Sequence, residues 1–172
     1  KDEFVTLIKN HDEETDCYAA LKARKIADDI YGKDIYIRGL IEFTNYCKNG
    51  CYYCGINCKN KDAERYRLTD EEIFLCCDRG YELGYRTFVL QGGEDPFYTD
   101  DKIVAIVNSI KKKYPDCAVT LSIGEKEYDS YKKFFDAGAD RYLLRHETAD
   151  ENHYRKLHPE NLSLEHRKKC LY

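Results

Sequence analysis

Apolar residues recur along this chain with two different periods, and the changes of period divide it into elements. Over residues 17–31 the positions Tyr18, Leu21, Ile26 and Ile30 fall near one side of a 3.6-residue turn, and Gly32 follows. Residues 1–34 therefore read as helical. From Ile35 onward short apolar runs take over, and four of them read as strands: Ile35–Phe43, Arg86–Leu90, Ala118–Ile123 and Arg141–Leu144. Helical period returns between them. Thr69 with Glu72 three residues on has the form of a capping box, and its helix runs to Leu83-Gly84. The next helix starts at Thr99 or Asp100 and carries Ile103, Ile106, Val107 and Ile110 on one face. A third spans about Glu125–Ala137 and stops at Gly138. A fourth follows Asp150, and Ser163 with His166-Arg167 opens another.

Strands alternating with helices imply βαβ units and a parallel sheet, an α/β fold. Four such units make half of a (β/α)8 barrel. The organisation read from the pattern is a helical segment over 1–34 followed by a half-barrel over 35–172, with no internal repeat beyond the alternation, no low-complexity segment and no linker. An open half-barrel leaves a strand edge and part of its core uncovered, so the other half is expected C-terminally. The chain starts at Lys1 without Met and stops at Cys170-Leu171-Tyr172 inside a helical pattern. Both ends read as cut, and poor stability is expected of residues 1–172 alone.

Composition narrows the class. With 42% hydrophobic and 35% charged residues the chain matches a globular protein, and a net charge of −4 argues against a nucleic-acid surface. The basic runs Lys111-Lys112-Lys113 and Arg167-Lys168-Lys169 read as solvated helix faces. No apolar stretch approaches a membrane span and the N-terminus is not signal-like, so a reducing, cytoplasmic compartment is expected. Nine cysteines, an odd number with three inside eight residues, make a poor disulfide framework and a better metal site. Cys17, Cys76, Cys77, Cys117 and Cys170 fall in or at the ends of regular elements, where a free cysteine serves as a small buried hydrophobe.

Candidate chemistry clusters at one end of the fold. In α/β barrels the active site lies at the C-terminal ends of the strands. The polar runs Thr44–Cys54, Gln91–Asp95, Ser122–Glu125 and Arg145–Thr148 each follow a strand, which points to one shared pocket.

The first run contains Cys47-Lys-Asn-Gly-Cys51-Tyr-Tyr-Cys54, a CxxxCxxC spacing. Three thiolates from one short loop can each take a different iron of a cubane cluster, with Gly50 and Gly55 supplying backbone freedom. Three protein ligands leave the fourth iron open. Cys58 extends the spacing to CxxxCxxCxxxC, and four thiolates would also suit a structural zinc knot. Four ligands so close together, without a second C-x-x-C pair, weigh against zinc, and Cys58 reads as a non-ligand.

The other runs supply polar partners. Gly92 and Gly93 before Glu94 let backbone approach a ligand at the strand end, although a tight turn punctuated by Pro96 has the same composition. Arg145 and Glu147, two apart, would share a face if the fourth strand continued through them. A guanidinium pairs with a carboxylate, and Glu147 can accept from hydroxyls or an amine. His146 would point the other way, and His146-Glu147 lacks the second His of a zinc-protease helix. Thr120 and Ser122 share a strand face, with Ser122 able to donate to a carboxylate. Arg167 could reach a carboxylate from the following helix, although taken alone it reads as a solvated arginine.

CxxxCxxC with an aromatic, Tyr53, before the last Cys resembles the radical S-adenosylmethionine superfamily. The runs IRGLIEFTNYC at 37–47, ERYRLTDEEI at 64–73, FVLQGGEDPFY at 88–98, VTLSIGEK at 119–126 and DRYLLRHETA at 140–149 further resemble the HydE family of [FeFe]-hydrogenase maturases. The methylornithine synthase family is similar at the cysteine motif and the ERYRLT run, and less so at RYLLRHET; biotin synthase shares the cluster loop. The resemblance implies a (β/α)8 barrel of the radical SAM type, with a [4Fe–4S] cluster on Cys47, Cys51 and Cys54. It implies S-adenosylmethionine beside Tyr53, Gly92, Gly93, Glu94, Glu147 and Arg167, and a substrate region at Ser122, Thr120 and Arg145. It further implies an anaerobic enzyme that cleaves S-adenosylmethionine reductively and helps assemble the H-cluster di-iron site. Its partners would be an iron–cysteine carbonyl/cyanide precursor, the other hydrogenase maturases and an external electron donor, with no nucleic acid and no membrane. A non-catalytic iron–sulfur or zinc scaffold is the competing class.

Overall fold

The computed structural model describes residues 2–172. They form two compact units, divided between residues 36 and 37. The first holds α1 (Asp2–Lys9) and α2 (Glu13–Tyr31), with the Asp12 carboxylate accepting from the Thr15 amide to cap α2. No residue of either helix is buried.

The second unit is a four-stranded parallel sheet in sequence order: β1 (Gly39–Thr44), β2 (Thr87–Gly92), β3 (Ala118–Ser122) and β4 (Arg141–Tyr142). The crossovers carry α3 (Asp70–Glu82), α4 (Asp100–Lys113) and α5 (Tyr128–Asp136), and α6 (Glu151–Leu157) and α7 (Leu164–Lys169) follow. The expected capping box holds, with Thr69 and Glu72 each satisfying the other's amide. Thr99 caps α4. Gly84 and Gly138 sit at φ 91° and 102°, a left-handed conformation that stops a helix and suits glycine.

Alternation along the strands sorts the core. One face sends Phe43, Phe88, Leu90, Val119 and Leu121 against Ile73 and Cys77 of α3, Ile103, Ile106, Val107 and Ile110 of α4, and Phe134 of α5. Burying each such side chain stabilises by about 1.5–3 kcal/mol. The other face carries two rows in register, Leu40–Val89–Thr120 and Glu42–Gln91–Ser122. Gln91 Nε2 donates to Glu42 Oε1 at 3.1 Å, so the row nearest the C-terminal ends is polar.

Several boundaries differ from the sequence expectation. β1 begins at Gly39 rather than Ile35, because Gly39 is the first residue with a partner, Phe88, on β2; Ile35, Tyr36 and Ile37 are exposed. α5 starts at Tyr128 rather than Glu125, whose amide is taken by the Glu94 side chain. β4 stops at Tyr142, two residues short, since it pairs with β3 only through Thr120–Arg141 and Leu121–Tyr142. Of the cysteines expected to be buried, Cys77 and Cys117 are, while Cys17 and Cys76 are exposed.

Candidate functional site

The site begins at a break in the sheet. The pairing of β1 with β2 shifts register between Glu42 and Thr44, so Phe43 and Thr44 are both buried and the chain turns out toward the strand ends. The cysteine loop then leaves and returns through a short antiparallel seam. Leu68 donates to the Phe43 carbonyl at 2.8 Å, Tyr66 donates to Asn45 Oδ1 at 2.8 Å, and Asn45 Nδ2 donates to the Glu64 carbonyl at 2.6 Å.

Within the loop, Cys54 donates to the Cys51 carbonyl at 3.2 Å and Cys58 to the buried Asn49 at 2.9 Å. Cys47, Cys51 and Cys54 are half-buried free thiols, whereas Cys58 is exposed. Burial pushes the Cys47 thiol up, and pushes Cys51 up to about 11, with the neighbouring Cys47 and Cys54 charges adding to it. Ionising Cys47 or Cys51 is therefore disfavoured, and bound iron would offset both the repulsion and the desolvation. Among the described residues no three His, Cys, Asp or Glu side chains converge on a point where one metal ion could sit. The donor set fits a cubane cluster with one iron left open.

Two neighbouring segments hold the loop in place. Lys48 donates to the Glu94 carbonyl at 2.9 Å, joining the loop to the exit of β2, and Tyr52 donates to the Leu157 carbonyl at 2.9 Å, joining it to α6. A Cβ on Gly93 would stand 2.7 Å from Cys47 Cβ, and one on Gly92 would stand 2.7 Å from Thr44 Cγ2. The glycines thus make room for the cysteine loop itself. Glu94 is nearly buried, with Oε2 3.3 Å from Lys48 Nζ and Oε1 accepting from the Glu125 amide at 3.0 Å.

Beneath the loop lies an ion pair absent from the sequence reading. Asp95 accepts from Arg67 Nε and Nη2 at 2.7 and 2.9 Å, from Thr44 Oγ1 at 2.8 Å and from the Phe97 amide at 3.0 Å. Burial works against the Asp95 carboxylate, but Arg67, the Phe97 amide and Thr44 outweigh it and hold its pKa below the usual value. The Arg67 guanidinium also stacks on Tyr46, 3.8 Å from the ring centre.

A cavity of about 240 Å³ opens over the polar row of the sheet, lined by Glu42, Gln91, Gly92, Ser122, Arg145, Glu147 and Arg167 among others. Arg145 and Glu147 meet there, although not as strand neighbours: both lie beyond β4, in a loop where Glu147 has φ 63°. A left-handed glutamate is a strained conformation of the kind found at ligand sites. His146 is exposed, and its carbonyl accepts from the Thr148 amide at 2.7 Å. Thr120 is buried in the sheet and does not line the cavity.

Arg167 is buried rather than solvated, which corrects the sequence reading. Its Nε lies 2.6 Å from Glu125 Oε1 in a buried ion pair. Its Nη1 donates to the Arg145 carbonyl at 3.2 Å. From its pair with Glu125 the guanidinium reaches the cavity, where it suits a polar ligand.

Tyr53 is half-exposed and packs edge-on against the buried His158, with ring centres 5.4 Å apart. His158 Nδ1 lies 3.1 Å from the Tyr154 carbonyl, which can only accept. The proton therefore sits on Nδ1, leaving Nε2 to accept from the Tyr53 hydroxyl at 3.4 Å. Burial and the Glu147 charge push the Tyr53 hydroxyl upward, so it stays protonated.

Fold and site together define a half-barrel with a three-cysteine loop at the C-terminal end of its first strand. The Radical SAM superfamily model matches residues 41–172, and the chain belongs to that superfamily. It is 48% identical over 151 residues to "[FeFe] hydrogenase maturase subunit HydE" of Thermotoga maritima, covering 86% of this chain and 42% of that protein. It is 36% identical over 137 residues to 3-methylornithine synthase of Methanosarcina barkeri, covering 78% of this chain and 39% of that protein. The chain thus spans about two fifths of the curated relatives it matches. The crystal structure of methylornithine synthase superposes with a TM-score of 0.84 at 31% identity, over 99% of this chain and 50% of that one. Four parallel βα units matching half of a barrel enzyme agree with the half-barrel expected from the alternation. No helix among the described residues is long and apolar enough to cross a membrane.

Proposed function

We propose that Cys47, Cys51 and Cys54 hold a [4Fe–4S] cluster whose open iron, together with Glu94, Glu147 and Arg167, receives S-adenosylmethionine. Held by these three thiolates, such a cluster would supply one electron for reductive cleavage of a C–S bond of S-adenosylmethionine. The observation that carries this reading is the joining of the half-buried thiol loop to the Glu94 backbone, beside a cavity lined by Arg145, Glu147 and Arg167. The buried Glu94 carboxylate suits an ammonium group, and the Arg167 guanidinium suits a carboxylate. Gly92 and Gly93 set the loop against them, Tyr53 lies beside the last thiol, and Ser122 and Arg145 face the substrate end of the cavity. Thr120 supports Ser122 from within β3.

We further infer a HydE-like role in assembling the di-iron site of [FeFe]-hydrogenase, supported by the 48% identity to the Thermotoga maritima maturase. The substrate would be an iron–cysteine carbonyl/cyanide precursor, and the partners the other maturases and an external electron donor. Methylornithine synthase is the second reading, favoured by the structural match along nearly the whole chain. Anaerobic turnover of the reconstituted protein with dithionite and S-adenosylmethionine tests the activity. Formation of 5′-deoxyadenosine supports a radical enzyme, and its absence favours a scaffold. Complementation of a hydrogenase-maturation defect, rather than of methylornithine production, supports the maturase role.

A further inference from the structure

The cysteine loop has neither helix nor strand between Asn45 and Asn60, so its carbonyls lack the partners that regular structure provides. One side chain answers several of them at once. Arg65 Nη1 donates to the carbonyls of Asn45 and Ile56 at 2.5 and 2.9 Å, and Nη2 donates to those of Asn57 and Asn60 at 2.7 and 3.0 Å. Asn45 precedes Cys47, while Ile56, Asn57 and Asn60 follow Cys54. A single planar fork therefore fastens the entry of the loop to its exit, with all three thiols on the arc between.

We propose that Arg65 is the positioning residue that fixes the relative placement of the Cys47, Cys51 and Cys54 thiols, a role that rests on the cluster-binding reading of those thiols. Its four hydrogen bonds all go to backbone carbonyls, so it acts on the path of the chain rather than on a single side chain. Arg67, two residues on, spends its guanidinium on the Asp95 carboxylate and the Tyr46 ring and leaves these carbonyls untouched. The seam of Asn45 with Glu64 and Tyr66 sets Arg65 at the neck of the loop. A lysine cannot replace it, because a point ammonium lacks the flat fork that serves carbonyls on both sides of the neck. Loss of the fork frees the two ends of the arc to separate, while the core of the sheet and helices, which Arg65 does not enter, remains.

The test compares the wild-type chain with Arg65→Lys and Arg65→Ala after anaerobic reconstitution with iron and sulfide. Both variants are expected to melt as the wild type does. Their clusters should be lost to a chelator at least about tenfold faster, the equivalent of one hydrogen bond to a charged group, and the EPR signal of the reduced cluster should broaden. A wild-type spectrum and wild-type chelator resistance in Arg65→Lys overturn the proposal. So does failure of both variants to fold, which assigns Arg65 to the fold instead. The metal-free chains give a second readout through a trivalent arsenical, which bridges two close thiols, with capture mapped by mass spectrometry to residues 47–54. Capture about tenfold slower in Arg65→Lys supports the proposal, and equal capture overturns it. A wild-type chain that takes up no cluster refutes the proposed function, while the arsenical still decides the role of Arg65.

Discussion

The Arg67 guanidinium grips the buried Asp95 carboxylate with two nitrogens, at 2.7 and 2.9 Å, directly beneath the loop that carries the cysteines. The pair links the segment that closes the loop to the turn that leaves β2, and Thr44 at the end of β1 completes it. Two strand ends and the loop neck are thereby held by one carboxylate.

Arg67→Met leaves that carboxylate buried without its cation. Breaking a fully buried pair costs about 3–5 kcal/mol, but the Arg67 end is 34% exposed, so about 2–3 kcal/mol is expected. Urea denaturation followed by tyrosine fluorescence measures it. Restoring neutrality with Asp95→Asn in the same chain should recover part of the loss, because the uncompensated charge is then gone.

The same pair makes stability depend on pH on the acid side. Asp95 is held below its ordinary pKa in the folded chain, so its contribution is complete above the unfolded value of about 3.9 and fades as pH falls through the folded value. The melting temperature should drop below about pH 4, and the drop should be shallower in the Arg67→Met, Asp95→Asn double variant. Equal acid profiles for the two chains would show that Asp95 carries none of the dependence.

Gly93→Ala puts a methyl group 2.7 Å from Cys47 Cβ and against the Tyr46 carbonyl. The Tyr46 backbone cannot yield as the tip of a flexible side chain would, so the cysteine loop must move away from the exit of β2. Overpacking of this kind costs about 1–3 kcal/mol. Iron content after reconstitution should fall with stability, whereas Gly55→Ala, with open space around its Cβ, should keep both.

His158→Phe keeps a ring against Tyr154, where the two stack with centres 3.9 Å apart, but removes the acceptor for the Tyr53 hydroxyl and the Nδ1 donor to the Tyr154 carbonyl, which keeps the His158 amide. The freed hydroxyl is half-exposed and can turn to water, so the expected loss is no more than about 1 kcal/mol by urea denaturation. His158→Ala also removes a buried ring and should cost about 2–4 kcal/mol.

Much of this architecture is written locally in the chain. The caps at Thr69, Thr99, Asp150 and Ser163 and the apolar face of α4 depend on residues three or four apart, so periodicity places them without tertiary knowledge. The CxxxCxxC spacing is local too. What escaped depends on distant partners. Residues 35–38 have strand composition, but β2 offers them no partner before Gly39. Arg65 and Arg67 look like ordinary surface arginines until the loop neck and Asp95 are brought beside them. The two arginines in ERYRL, alternating along an extended run after the cysteines, were the available hint. Arg167 sits in a basic run and reads as solvated, yet the helix turns it inward onto Glu125.

The central claim is that three thiols of one loop hold a cluster open to S-adenosylmethionine. Anaerobic reconstitution followed by EPR of the reduced chain, before and after adding S-adenosylmethionine, tests it most directly. The account predicts a [4Fe–4S] signal that shifts on addition, survives in Cys58→Ala and disappears in Cys54→Ala. A colourless chain retaining zinc, or a cluster lost equally in both variants, would contradict it.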